Sequence, residues 1–159
     1  MIKKYLIGAL SVLFATGIYA QKNFFNDAES AYSMDRYYSA SELYKKAEVG
    51  KRTKVDKKGY INYQIAECYR NMFKDDQAAV YYRRAIKLKY HQQNPEVHLR
   101  LGNSLLIQGE YKDALEQFEK YKAAAGDDKA DIGIESCKKS QEWKAEPTRH
   151  KVESELQLN

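Results

Sequence analysis

A small residue followed four positions later by an aromatic ring recurs along this chain, and the recurrence restricts the fold more than any other feature. Three of these pairs are related by near-constant offsets of 38 and then 36 residues: Ala40–Tyr44, Ala78–Tyr82 and Ala114–Phe118. Small residues let two helix backbones approach where they cross, and a ring one turn later fills the space beside them. A period of this length indicates a stack of similar units.

The unit is clearest in residues 95–125, where apolar and small residues follow the helical period on both sides of one break. Asn94 is predicted to cap the first helix, and Pro95 to occupy its first turn. Gly109 is predicted to make the tight turn, because left-handed backbone angles cost little only for glycine. Gly102 is predicted to let the second helix approach the first. Each unit is therefore a helix hairpin.

These residues resemble the tetratricopeptide repeat (TPR), a helix hairpin of about 34 residues. The resemblance covers three units, at about residues 23–50, 58–90 and 95–125, with extra residues at 50–57 and 89–93. The positions that carry it are small, branched or aromatic: Ala28, Tyr37, Ala40, Tyr44, Ala47, Ile65, Ala66, Tyr69, Ala78, Tyr82, Ala85, Leu101, Gly102, Gly109, Tyr111, Ala114 and Phe118. It implies an all-α fold, a right-handed α-solenoid of three TPR-like helix hairpins plus a C-terminal capping helix.

The capping helix is predicted at residues 128–142, where Asp127 or Asp128 can cap its start. A single extra helix covers the apolar face that the last hairpin would otherwise expose. Trp143, at the end of this helix, is expected to pack there.

Two cysteines, Cys68 and Cys137, raise the question of a disulfide. Aligning the first helices places both at the position of Ser30 and Ser104, which favours a small side chain. The cysteines also lie two units apart, and at about 10 Å per helix layer they are too distant for a bond. We expect free thiols that serve packing.

The first twenty residues have the layout of a secretory signal peptide: a basic start, a short apolar run and Ala20 before Gln21. A retained membrane anchor is the alternative, although the run is short for a bilayer span. The predicted organisation is a signal peptide at 1–20, a solenoid domain at 21–145 and a tail at 146–159. The tail is interpreted either as a linker with the start of a β-strand or as a disordered segment.

This order of parts resembles bacterial outer-membrane-associated proteins of the OmpA-like family, some of which belong to the type IX secretion and gliding machinery. The resemblance implies a periplasmic domain at the front of a longer parent protein. In such a parent, association with peptidoglycan or the outer membrane would be indirect, because nothing in these 159 residues forms a peptidoglycan site.

Charge gives little support to a nucleic-acid partner. Removal of Lys3 and Lys4 with the leader lowers the formal net charge from +5 to +3. Acidic and basic residues are interspersed except at 51–58, which we interpret as a solvated loop. Nucleic-acid binding requires a concentrated basic face, and none is evident.

No group of residues suggests catalysis, a cofactor, a metal site or a small-molecule substrate. The three histidines, His91, His98 and His150, have no carboxylate or cysteine at a metal-ligand spacing. Glu67 and Glu116 stand at ordinary helix positions and are expected to be solvated. The chain is therefore predicted not to be an enzyme.

The family resemblance implies protein binding on a concave face made by the first helix of each hairpin. The residues that it places there are Phe25, Asn26, Glu29, Tyr32, Tyr63, Gln64, Glu67, Arg70, Leu99, Arg100, Asn103, Leu106 and Ile107. Each aromatic among them could equally serve packing between repeats. As a group they suggest a groove for an extended or helical peptide.

One known use of this face is disfavoured. Family members that hold chaperone C-terminal carboxylates use a clamp of lysines, asparagines and an arginine. Here Phe25, Glu29, Gln64 and Glu96 stand at four of those places, and only Arg100 fits. The predicted function is a protein–protein interaction module of the cell envelope, and the alternative is a structural spacer or capping domain.

Overall fold

The computed structural model describes residues 24–50 and 55–145, and every regular element in those ranges is helical. The elements are α1 (24–33), α2 (Tyr37–Glu48), α3 (Val55–Asn71), α4 (Asp75–Lys87), a short 3-10 helix (Tyr90–Gln92), α5 (Glu96–Ile107), α6 (Tyr111–Ala125) and α7 (Asp131–Ala145). No helix in these ranges is long and apolar enough to cross a membrane. The predicted signal peptide at 1–20 and the tail at 146–159 lie outside the described residues.

Each helix from α2 to α6 packs against the helix that follows it, as in a solenoid. Helices α1–α2, α3–α4 and α5–α6 form the three predicted hairpins, and α7 packs on α6 as the capping helix. Ala40, Ala78 and Ala114 are completely buried, as are the rings that follow them four residues later. The predicted fold class and the predicted repeat positions are confirmed.

A single ring accounts for two glycines. A Cβ atom at Gly102 in α5 would lie 2.7 Å from Cε1 of Phe118, and one at Gly133 in α7 would lie 2.6 Å from its Cζ. Phe118, in α6, is therefore held between the glycines of two other helices. The predicted role of Gly102 in close helix approach is confirmed, and Gly133 extends it to the capping helix.

The three hairpin turns share one geometry. Asp35, Phe73 and Gly109 have positive φ values of 57°, 57° and 76°. In each turn this residue donates its N–H to the carbonyl three residues back, and the next residue donates to a carbonyl five residues back, at 2.9–3.0 Å. These paired bonds form the Schellman motif. The prediction for Gly109 is confirmed, whereas the first two turns place ordinary side chains in a conformation that favours glycine.

The segments between hairpins differ from the prediction in part. Residues 55–58, expected in a solvated loop, belong to α3, where the carbonyl of Lys58 accepts a hydrogen bond from Asn62. The first turns of this helix pack closely against the insertion, because a Cβ at Gly59 would lie only 2.9 Å from the Cβ of Tyr90. Residues 51–54 lie outside the described residues. The insertion at 89–93 is confirmed and contains the 3-10 helix.

Two predicted helix starts are wrong. Pro95 is the N-cap of α5 and no side chain caps this helix; Asn94 contributes its backbone carbonyl instead, accepting from the Val97 N–H at 3.3 Å. Helix α7 begins at Asp131, three residues after the predicted start. Asp127 is used elsewhere, because its carboxylate accepts from the Lys129 N–H and from the Tyr121 hydroxyl.

Trp143 does not pack as expected, since its side chain is 69% exposed. Cys137, on the opposite side of α7, is completely buried. Helix α7 packs against α6 and α5 with one side only, and Trp143 lies on the side that no described helix covers.

Both cysteines are free and buried, as predicted. Burial raises the pKa of the Cys68 thiol to about 12, so the thiol stays protonated. The aligned position is buried at Cys68, Ser104 and Cys137, but Ser30 is exposed. Ser30 differs because it belongs to the first described helix, which has no preceding hairpin within the described residues.

We expect Gly102→Ala to lower the free energy of unfolding by about 1–3 kcal/mol, the usual cost of overpacking a core. The Phe118 ring cannot shift away from a new methyl group because Gly133 bounds its other side. Chemical denaturation monitored by circular dichroism measures the change.

The double variant Gly102→Ala/Phe118→Leu provides the control. Because the smaller side chain makes room for the methyl group, its cost should be less than the sum of the two single costs. Strict additivity of the two single costs would contradict the proposed contact.

Candidate functional site

The first helices of successive hairpins lie side by side and are joined by polar side chains. Tyr60 in α3 donates to Glu29 in α1 at 3.0 Å, and Asn71 in α3 donates to the Tyr32 hydroxyl at 3.4 Å. Arg100 in α5 lies 3.9 Å from Glu67 in α3, and Lys129, just before α7, pairs with Glu96 in α5 at 3.1 Å. We call this continuous surface of α1, α3 and α5 the first-helix face. It contains the predicted concave-face residues.

A buried hydroxyl and a glutamate form the same pair in the first two hairpins. The Tyr44 hydroxyl donates to Glu29 at 2.6 Å, and the Tyr82 hydroxyl donates to Glu67; each pair is 15 residues apart in sequence. The third hairpin has Phe118 and Asn103 at these positions, with the same spacing. Where the ring has no hydroxyl, the glutamate is absent.

Glu67 is the centre of the first-helix face. Its side chain is 5% exposed, so the expectation that it is solvated is wrong; Glu116, by contrast, is exposed and pairs with Lys120. Besides Tyr82, Glu67 accepts from Arg70 Nη2 at 2.8 Å and lies 3.9 Å from Arg100 Nε. A buried carboxylate is tolerated only when it is paired and hydrogen-bonded, and this one has both kinds of partner.

The tyrosine hydroxyls of this face remain donors at neutral pH. Burial is the largest cause that raises the pKa of Tyr60 to about 12, and burial together with the charge of Glu67 does the same for Tyr63. The pKa values of Tyr44 and Tyr82 are also raised, first by burial and then by their glutamate partners. The hydrogen bonds to Glu29 and Glu67 therefore persist across the physiological range.

Three of the predicted site residues occupy equivalent positions in the three hairpins and pack against the core. Phe25 and Tyr63 pack edgewise or tilted against the buried rings of Tyr44 and Tyr82, with centroids 6.1 and 5.9 Å apart. Leu99, the equivalent residue of the third hairpin, is buried in the core, so its prediction as an open binding position is corrected. In the first two hairpins, the side chain at this position therefore packs against the buried ring of its own hairpin.

The remaining predicted residues stay accessible. Asn26 and Ile107 are exposed; those that are partly exposed are Glu29, Tyr32, Gln64, Arg70, Arg100, Asn103 and Leu106. Lys57 places its Nζ 3.6 Å above the Phe25 ring, which narrows access to that side chain. The face thus offers several partly exposed rings, aliphatic surface, and amide and guanidinium groups.

Sequence reasoning missed three residues of this face. Tyr60 joins Glu29 to Gln64, and Asn71 bonds Tyr32. Tyr90, from the insertion, packs its ring on those of Tyr60 and Tyr63 with centroids 6.0 and 5.6 Å apart. Tyr60 and Asn71 could have been found from the helical period of α3, but the inward fold of the insertion carries no such signal.

The structure brings together two histidines that the sequence separates. The rings of His91 and His98 are 5.2 Å apart, and Nδ1 of His98 donates to Oε1 of Gln117 at 2.9 Å. Burial is the largest cause that lowers the pKa of His98, and the charges of His91 and Lys120 lower it further. Within residues 24–50 and 55–145, no group of three potential metal ligands is present.

Comparison with known proteins gives a fold but no family. No protein-family model matches the chain, and a search of curated proteins finds no match either. Among solved structures, the chain is similar to the crystal structure of the Sgt2 TPR domain from Aspergillus fumigatus. The two share 22% identity with a TM-score of 0.63, over 85% of this chain and 89% of that one. The fold is that of a TPR domain.

We expect Tyr82→Phe to lower the free energy of unfolding by about 1–3 kcal/mol, because it removes a hydrogen bond from the buried carboxylate of Glu67. Tyr81→Phe, on the same helix, is the matched control. Its hydroxyl makes no hydrogen bond with a described residue, so the change should stay within about 0.5 kcal/mol. Equal effects in urea denaturation would show that the hydroxyl bond contributes nothing.

Stability should fall as the pH drops below about 6.5, the pKa of histidine in an unfolded chain. The lowered pKa of His98 means that the unfolded chain binds a proton that the folded chain refuses. The stability that His98 contributes is therefore fully present above that pH, and it is lost as the pH falls toward the lower pKa of His98 in the folded state. His98→Gln should flatten the dependence below about pH 6.5 in thermal denaturation; unchanged slopes would contradict the assignment.

Proposed function

We propose that this chain is a non-catalytic protein–protein interaction module that binds a segment of a partner protein on the first-helix face. The observation that supports the proposal most directly is the fixed polar network beneath that face. Glu29 accepts from tyrosines of two other helices and Glu67 accepts from Arg70, so side chains such as Tyr60 and Arg70 are positioned before a partner arrives. Binding then requires little ordering, which favours affinity.

The composition of the face favours a protein segment over a charged polymer. Arg70 and Arg100 are both paired with Glu67, and Arg100 also lies 3.6 Å from Glu96. The positive charge is thus balanced locally, which does not suit nucleic acid. The amide of Asn103 is partly exposed and makes no hydrogen bond with a described residue. Amides of this kind suit the backbone of an extended or helical peptide.

We further propose that the module is exported and acts in the bacterial cell envelope, as part of an assembly or secretion complex. This part of the proposal is supported by the leader-like layout of residues 1–20, which lie outside the described residues. The alternative is a structural spacer or capping domain of a larger OmpA-like, peptidoglycan-associated protein; its motivation is the strand-like alternation of Val152, Ser154, Leu156 and Leu158, which lie outside the described residues.

Site-specific photo-crosslinking tests the binding proposal. A photoreactive side chain at Asn103 should give adducts with one partner protein in living cells, because this position is open on the first-helix face. The matched control is Glu119, an exposed position on the second helix of the same hairpin. Adducts confined to Asn103 would support the proposal, whereas equal labelling or no adduct at either position would favour the spacer.

A further inference from the structure

The last described helix has an unusual outer face. Ile132 and Trp143 are 80% and 69% exposed, and they lie 11 residues apart, which is about three helical turns. Both therefore stand on the same side of α7, opposite the buried Cys137. A solenoid usually ends in a polar outer face, because nothing covers it in solution. The large apolar groups at both ends of this face therefore indicate that another surface covers it.

Between these residues the face is polar and balanced. Glu135 and Lys139 form an ion pair at 2.5 Å, and the Ser136 hydroxyl donates to the Ile132 carbonyl. We call the stripe of Ile132, Glu135, Lys139 and Trp143 the end face. It is apolar at its two ends, has one charge of each sign in the middle, and carries no net charge.

We propose that the end face binds the end face of a second copy of this chain, with the two α7 helices antiparallel about a twofold axis. Such an interface is isologous: if one residue of the first copy contacts another residue of the second copy, the same two positions also contact each other with the copies exchanged. Placing Ile132 opposite Trp143 of the copy puts the axis near residues 137 and 138. The twofold rotation then covers Ile132 and Trp143 of each copy with the end face of the other copy.

The charges agree with this pairing. In the antiparallel arrangement, Lys139 of one copy lies within about 1.5 Å, along the helix axis, of the level of Glu135 of the other. Each glutamate can therefore pair with a lysine across the axis, and no like charges are brought face to face. A single pair of 15-residue helices gives a small interface, for which we expect weak, concentration-dependent association.

Sedimentation equilibrium over a wide concentration range tests for the dimer. The unmodified chain should associate, and Ile132→Asp should weaken the association at least tenfold. Aspartate is tolerated in the first turn of a helix, so this variant should fold. Val49→Asp, at an equally exposed apolar residue after α2, is the matched control and should associate like the unmodified chain. A monomer at every concentration, or equal effects of both variants, would overturn the proposal.

Thiol cross-linking tests the orientation. A mixture of Ile132→Cys and Trp143→Cys chains should give a covalent dimer with a short bifunctional thiol reagent. Each variant alone should not, because its two copies of the new cysteine would lie about 16 Å apart along the helices. The native thiols are buried and should not react. Efficient dimers of the Ile132→Cys chain alone would show a parallel pair and refute the arrangement.

Trp143 is the one tryptophan of the chain, so its fluorescence reports on the end face. If the copy covers it, the emission should shift to shorter wavelength as concentration rises. Emission that is already short in wavelength at high dilution would mean that another part of the same chain covers the stripe, which would overturn the proposal.

Discussion

Everything in this structure depends on how one ring in the second helix of each hairpin meets the first helices on either side. The third hairpin shows the contact most directly, because Phe118 lies where Gly102 and Gly133 leave no room for a side chain atom. Close packing of this kind tolerates neither a gap nor an added methyl group. The ring thereby sets the distance between helices, and the repetition of that distance makes a solenoid.

The identity of that ring also determines what the first-helix face presents. A buried tyrosine hydroxyl needs an acceptor, and in two hairpins a glutamate of the first helix supplies it. That glutamate must then be compensated, which draws Arg70 and Arg100 toward Glu67. In the third hairpin phenylalanine needs no acceptor, and the amide of Asn103 is not engaged by any described residue. The choice of tyrosine or phenylalanine in the core therefore determines which polar groups the candidate binding surface presents.

The sequence was sufficient for the repeat, because small and aromatic residues that recur at constant offsets are typical of stacked helix hairpins and of few other folds. It predicted the turn at Gly109 from backbone preference alone. The equivalent turn at Phe73 had no such signal, since a bulky residue at positive φ is rare. There the tertiary packing of α3 on α4 imposes the conformation, with the Phe73 side chain 92% exposed.

The site was less predictable because its polar residues depend on partners distant in sequence. Glu67 has an ordinary helical position, and its burial depends on the hydroxyl of Tyr82 in the next helix together with Arg70 and Arg100. The shared spacing of 15 residues between each glutamate and its tyrosine is a signal that could have found both pairs. No comparable signal existed for His91 and His98, because the 3-10 helix that folds one toward the other has no periodicity to extrapolate.

The last described helix illustrates the same principle. In a solenoid each unit is stabilised by its neighbours, and within the described residues α7 has neighbouring helices on one side only. Helix α7 has α6 on one side, and its other side carries Ile132 and Trp143. A second copy that covers this side would add the missing neighbour to two arrays at once. Because an association that binds only the folded state raises its stability by mass action, the benefit would grow with concentration. A twofold end-to-end contact would also leave both first-helix faces open, so that pairing and partner binding need not compete.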